Sequence, residues 1–118
     1  MKLISHYISG AEQKSHSTRS APVYDPALGI ESGQVALADA QDIQDAISSA
    51  KNAYPAWRDT SLARRQQIIF RFRELLNERK PELAAIITAE HGKVLSDALG
   101  EITRGQEVVE FAAACHTF

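Results

Sequence analysis

The chain has 118 residues, with 13 Lys or Arg against 15 Asp or Glu and a single cysteine, Cys115. That length fits one compact domain with a core that needs neither disulfide nor metal, and Leu, Ile, Val and Phe supply 28 residues, above the level at which disorder is the default. A formal net charge of −2 speaks against a dedicated nucleic-acid binder, and one thiol excludes both an internal disulfide and a thiolate-rich zinc site.

The chain changes character near residue 39. Residues 1–38 read as strands and loops, and residues 39–118 as four helices, with no repeat and no low-complexity segment. Residues 2–9 alternate loosely, with Ile4, Tyr7 and Ile8 as the apolar members, and favour β structure. Ser9-Gly10 marks a turn. The polar run from Lys14 to Ser20 reads as an exposed loop. Val23-Tyr24 is a short strand stopped by Asp25-Pro26, because a residue before proline is pushed to extended geometry. Leu28-Gly29 and Ser32-Gly33 allow a reversal, and Gln34 to Ala38 forms another short strand.

Asp39 is a good N-cap for the first helix, and Asp42 places a second carboxylate against the positive helix end. Ile43, Ala46, Ile47, Ala50, Tyr54 and Trp57 follow at helical spacing, and Pro55 is expected to kink or end the regular part. Ser61 caps a second helix whose stripe is Leu62, Ile69, Phe72 and Leu76, widened by Ile68 and Leu75. Its Arg64, Arg65, Arg71, Arg73, Arg79 and Lys80 outnumber Glu74 and Glu78. In an acidic chain this reads as a solvated face or as ion pairs to neighbouring helices. Pro81 opens a third helix, and Gly92 ends it as a left-handed residue. The fourth helix runs from about Leu95 to the end, with Ala98, Ile102, Gly105, Val109 and Ala112 on one face.

No stretch is long enough to cross a membrane. The longest near-apolar run, Val108 to Cys115, contains Glu110, whereas a span needs about 20 apolar residues. The first residues carry no signal-peptide core and no arginine-rich transit pattern, so the expectation is a cytoplasmic protein without membrane or nucleic-acid partners.

Candidate chemistry is sparse. His91-Gly92-Lys93 fails the phosphate-loop pattern at both ends and reads as a helix terminator with a lysine beside the negative helix end. Ser48-Ser49-Ala50-Lys51 has Ser-x-x-Lys spacing without the partner motifs that give it meaning. Cys115 reads as a small, at least partly buried thiol, since neighbouring His116 does not share its helix face. The four histidines, His6, His16, His91 and His116, show no metal-ligand spacing. Arg104 belongs to a residue type that grips carboxylates through two parallel hydrogen bonds, but on the bare sequence it reads as a surface ion-pair residue. No Gly-x-Gly-x-x-Gly fingerprint is present. The residues alone describe a soluble, mostly helical piece with N-terminal strands and no visible active site.

Several segments together resemble the N-terminal part of the aldehyde dehydrogenase superfamily. Tyr7-Ile8-Ser9-Gly10 resembles its first strand and turn. Val23-Tyr24-Asp25-Pro26-Ala27-Leu28-Gly29 resembles its Asn-Pro-Ala-Thr-Gly segment, and Ala53-Tyr54-Pro55-Ala56-Trp57 its Ala-Phe-x-x-Trp. Arg64-Arg65 and Arg71 fall on its arginine-bearing helix. The segments Phe70 to Leu76, Ile87 to Ala98 and Arg104 to Ala112 resemble one branch, the CoA-acylating methylmalonate-semialdehyde dehydrogenases.

The resemblance implies an α/β parent fold with an NAD-binding domain, a catalytic domain and an oligomerisation arm, of which this chain would be the mostly helical front end. It also implies oxidation of malonate or methylmalonate semialdehyde with NAD and CoA, giving acetyl-CoA or propionyl-CoA, in valine and inositol breakdown. The family assembles as homo-oligomers. Arg104 matches the family arginine in Arg-Gly-Leu-Glu-Val-Val-Glu, which binds the substrate carboxylate.

Departures are Asp25 for Asn, Leu28 for Thr, Ile30 for Glu and Gln106 for Leu, and residues 11–14 lack the aromatic pair of the second strand. Family members are about four times as long. By the resemblance, the catalytic cysteine, its general base and the dinucleotide glycines lie beyond position 118, and Cys115 does not match the catalytic position. The expectation is a segment that is inactive alone and binds neither NAD nor CoA by itself. The alternative is a non-catalytic helical interaction module of the same ancestry.

Overall fold

A computed structural model describes residues 2–114. Cys115 and His116, and the expected end of the last helix, lie outside the described residues. The chain is mostly helical with short N-terminal strands, as expected. It divides into two compact units, Met1–Asp59 and Thr60–Phe118. The change from strand to helix falls at residues 37–39, but the first helix belongs to the same unit as the strands.

In the first unit, β1 (Lys2–Ile4) runs parallel to β5 (Glu31–Ala36), and β4 (Ser20–Tyr24) pairs antiparallel with the other side of β5. The last strand therefore begins earlier and ends earlier than Gln34 to Ala38. Gly33 sits opposite Lys2, where an added Cβ would stand 3.0 Å from the Lys2 carbonyl oxygen, so β1 can approach only a glycine here. Pro22 lies on β4, an edge strand, which tolerates its missing N–H.

A separate hairpin pairs β2 (His6–Ile8) with β3 (Ala11–Gln13). Its turn places Ser9 at φ 57° and Gly10 at φ 78°, the paired left-handed conformation of a two-residue hairpin turn. The Tyr7 hydroxyl closes it by donating to the Gly10 carbonyl at 2.8 Å. Past β4, the Asp25 carboxylate accepts from the amides of Ala27 (2.8 Å) and Leu28 (3.0 Å), which fixes the Asp-Pro turn.

Helix α1 (Ala40–Asp59) starts where expected. The Asp39 carboxylate accepts from the amides of Gln41 (2.9 Å) and Asp42 (3.0 Å), while Asp42 reaches back to the Asp39 amide at 3.0 Å. This is a reciprocal capping box with Asp in the place of Glu. Pro55 does not end the helix, which continues to Asp59. Only one turn follows the proline, so the lost bond is confined to the carbonyl of exposed Lys51.

The second unit holds α2 (Leu62–Glu78), α3 (Lys80–His91) and α4 (Leu95–Ala114). The Ser61 hydroxyl accepts from the Arg64 amide at 3.4 Å, and Pro81 lies in the first turn of α3. Gly92 ends α3 at φ 82°, its amide bonded to the Thr88 carbonyl at 2.9 Å. A side chain in that conformation costs about 1–2 kcal/mol. Gly92→Ala is therefore expected to lower the stability of this unit by about 1 kcal/mol, read as an earlier loss of the 222 nm circular dichroism signal on heating.

The core of this unit is small. Ala84 and Ala98 are fully buried and Ile102 nearly so, with Leu83, Ile87 and Leu99 packed around them. Small side chains at this crossing let α3 and α4 approach closely. The buried line of α4 is Ala98, Ile102, Gln106 and Ala113, rotated from the expected face, since Gly105 and Ala112 are exposed. Gln106 was hidden from an apolar pattern by its own polarity. Its amide oxygen accepts from Arg73 Nε at 3.1 Å and Nη2 at 3.2 Å, which satisfies the amide where it is buried. Of the expected stripe of α2, Ile69, Leu75 and Leu76 are half-buried, while Leu62, Ile68 and Phe72 are exposed. Phe72 and Leu76 instead line an open apolar groove of about 350 Å³ with Ile86, Ile102, Gly105 and Val109.

Candidate functional site

Two polar constellations stand out, one in each unit. In the first unit, Asp42 is 4% exposed and acts as a hub. Besides the Asp39 amide, it accepts from the Ser15 hydroxyl at 2.5 Å and the His16 amide at 3.0 Å. His6 Nε2 stands 3.4 Å from the same carboxylate. These bonds hold its carboxyl well below the usual carboxylate range, the Ser15 hydroxyl contributing most. One turn on, His16 Nε2 meets Asp45 at 3.0 Å, which raises the imidazole pKa through that hydrogen bond.

The loop expected from Lys14 to Ser20 ends one residue earlier, since Ser20 opens β4, and it is pinned at Ser15 and His16 to the start of α1. Asp42 was expected only to meet the helix dipole, and its partners lie 26 and 27 residues away in sequence. No nearby signal could have revealed them. The hub does not form a hydrolytic triad, because Ser15 is bonded to the carboxylate and not to an imidazole. Of the side chains of Ser48-Ser49-Ala50-Lys51, only that of Ser49 is engaged among the described residues, its Oγ by Ser9 Oγ at 2.8 Å. No metal-binding cluster of His, Cys, Asp or Glu occurs among the described residues, and His91 is exposed.

In the second unit, α4 is tethered along its length by cations from its neighbours. Lys93, in the connection after Gly92, pairs with Glu101. Lys80 Nζ donates to Thr103 Oγ1 at 2.5 Å. Arg73 donates to Glu110 at 2.8 Å as well as to Gln106. Lys93 therefore reaches across to α4, where a position beside the end of α3 was expected. The basic character of α2 is partly spent on these links and partly on Arg71, which lies 3.5 Å from both Glu74 and Glu78.

The one cation within α4 itself is Arg104. It is exposed, and among the described residues it makes no hydrogen bond or ion pair. The surface ion pair expected for it is absent. A rigid helix thus presents an unspent guanidinium, with Gly105 beside it leaving open space where a Cβ would stand. Such a group can accept a planar carboxylate through two parallel N–H donors.

At two helix starts the cap side chains take up backbone amides, Asp39 those of Gln41 and Asp42 in α1 and Ser61 that of Arg64 in α2.

Comparison with known proteins extends this picture. A model of the aldehyde dehydrogenase family matches residues 13–117. Over 109 residues the chain is 42% identical to the malonate-semialdehyde dehydrogenase of Pseudomonas aeruginosa, covering 92% of this chain and 22% of that protein. Over 116 residues it is 40% identical to malonate-semialdehyde dehydrogenase 2 of Bacillus cereus, covering 98% of this chain and 24% of that one. A Sinorhizobium meliloti 1021 protein assigned as a methylmalonate-semialdehyde dehydrogenase and crystallised with NAD superimposes with a TM-score of 0.95. It is 39% identical, and the match covers 99% of this chain and 24% of that one. The chain spans about a quarter of the length of these relatives. With a family model matched over nearly all of its length, the chain belongs to the aldehyde dehydrogenase family.

Proposed function

We propose that these residues are the N-terminal part of an NAD-dependent, CoA-acylating malonate- or methylmalonate-semialdehyde dehydrogenase, and that their contribution to the reaction is recognition of the substrate carboxylate by Arg104. The observation that carries this reading is the free guanidinium of Arg104 on a helix where Glu101, Thr103, Gln106 and Glu110 are each engaged by a cation from a neighbouring segment. A carboxylate is what separates a semialdehyde of this class from a plain aldehyde, so a fixed arginine supplies specificity. The reaction chemistry, with NAD as oxidant and CoA as acyl acceptor, belongs to the remainder of the enzyme, and the segment alone is inactive. The apolar groove beside Gly105 supports the second reading, a helical interaction module.

The two readings part in a hybrid enzyme. The matched segment of the Pseudomonas aeruginosa relative is replaced by residues 1–118 of this chain. The expected result is acetyl-CoA from malonate semialdehyde, one NADH per turnover and no product without CoA. A folded hybrid with turnover of neutral aldehydes but none of malonate semialdehyde would overturn the catalytic reading and favour the interaction module.

A further inference from the structure

Residues three apart on a helix are surface neighbours, and a glutamate N-terminal to a cation is the favourable order. Glu101 stands three residues before Arg104, so a pair between them is the default local outcome. It does not form. The Glu101 carboxylate is held by Lys93 Nζ, and the Lys93 side chain is 17% exposed where that of Glu101 is 41% exposed. Lys93 reaches this position because Gly92 turns left-handed at φ 82° and sends the connection back toward α4. The carboxyl of Glu101 is lowered chiefly by the Lys93 hydrogen bond, with Arg104 contributing least of the causes.

We propose that Lys93 is a positioning residue for anion recognition: by holding Glu101, it leaves the Arg104 guanidinium open to an incoming carboxylate. This rests on reading Arg104 as the carboxylate-binding arginine, but its test does not need catalysis. Phenylglyoxal adds to the neutral guanidine, so a carboxylate paired with an arginine slows modification of that side chain. The rate at Arg104 is followed in this chain by peptide mass spectrometry, with Arg64 as the internal reference.

Lys93→Met is expected to slow modification of Arg104 by about twofold, the size of an exposed intrahelical pair. Lys93→Met combined with Glu101→Gln is expected to restore the original rate. A merely structural role for Lys93 would leave the double variant as altered as the single one. Glu101→Gln alone, with Lys93 in place, is expected to leave the rate unchanged, and this variant decides the matter if Lys93→Met fails to fold. An unchanged rate in folded Lys93→Met, no recovery in the double variant, or a faster rate in Glu101→Gln would each overturn the proposal. If the expected pattern holds while Arg104→Ala leaves the substrate preference of the hybrid enzyme intact, the carboxylate-binding reading fails and the role of Lys93 on the helix stands.

Discussion

Asp42→Ala is expected to lower the melting midpoint of the first unit by on the order of 10 °C. The substitution removes one buried acceptor, strands the amides of His16 and Asp39, and leaves the Ser15 hydroxyl only its longer bond to the Leu37 carbonyl at 3.4 Å. Leaving donors unpaired where water is partly excluded costs more than the bonds themselves contribute. The residue 14–19 segment and the start of α1 both lose their anchor. Trp57 and all three tyrosines lie in this unit, so intrinsic fluorescence reports it separately from the helices of the second unit. Asp45→Asn touches only exposed bonds, those to His16 and to the Gln41 amide, and its effect should be far smaller. Equal midpoints for wild type and Asp42→Ala would refute the hub.

The pH dependence follows with a definite sign. Asp42 is depressed in the folded state, so its contribution is complete above the ordinary carboxyl value of 3.8 and is lost as pH falls below it. The wild-type midpoint should fall between about pH 5 and pH 2, and Asp42→Ala should flatten that fall. A smaller slope should remain from Asp45, held low first by the Gln41 amide and then by His16. The raised imidazole of His16 acts in the opposite sense. Its contribution is present below the ordinary value of 6.5 and is lost as pH rises through the raised one.

What could be read from the chain alone was local. Asp39, Ser61, Pro81 and Gly92 each act within a few residues, and each stands where its helix begins or ends. Strand β3 was placed by the resemblance alone, because Ala11-Glu12-Gln13 has no apolar alternation and its pairing depends on the Ser9-Gly10 turn. The buried face of α4 was misjudged because an apolar pattern does not show a buried, hydrogen-bonded glutamine. The Asp42 hub needed contacts 26 residues distant. Arg104 is the sharpest case. Nothing in its own neighbourhood marks it as special, and only the resemblance pointed to it. The structure adds that Glu101, the carboxylate three residues before it, is already held by Lys93.

Arg104→Ala in the hybrid enzyme is expected to lower kcat/KM for malonate semialdehyde on the order of 100-fold, the cost of removing one partner of a hydrogen-bonded charge pair. Arg104→Lys should recover only part of this loss, because a single ammonium keeps the charge but not the two parallel donors. Propanal has the same aldehyde and no carboxylate, so its turnover should be nearly unaffected. The decisive measurement is therefore the ratio of kcat/KM for malonate semialdehyde to that for propanal, before and after Arg104→Ala. This ratio is expected to collapse through the acidic substrate alone. A ratio that does not change, or a loss shared equally by both aldehydes, would contradict the assignment of Arg104 to the substrate carboxylate.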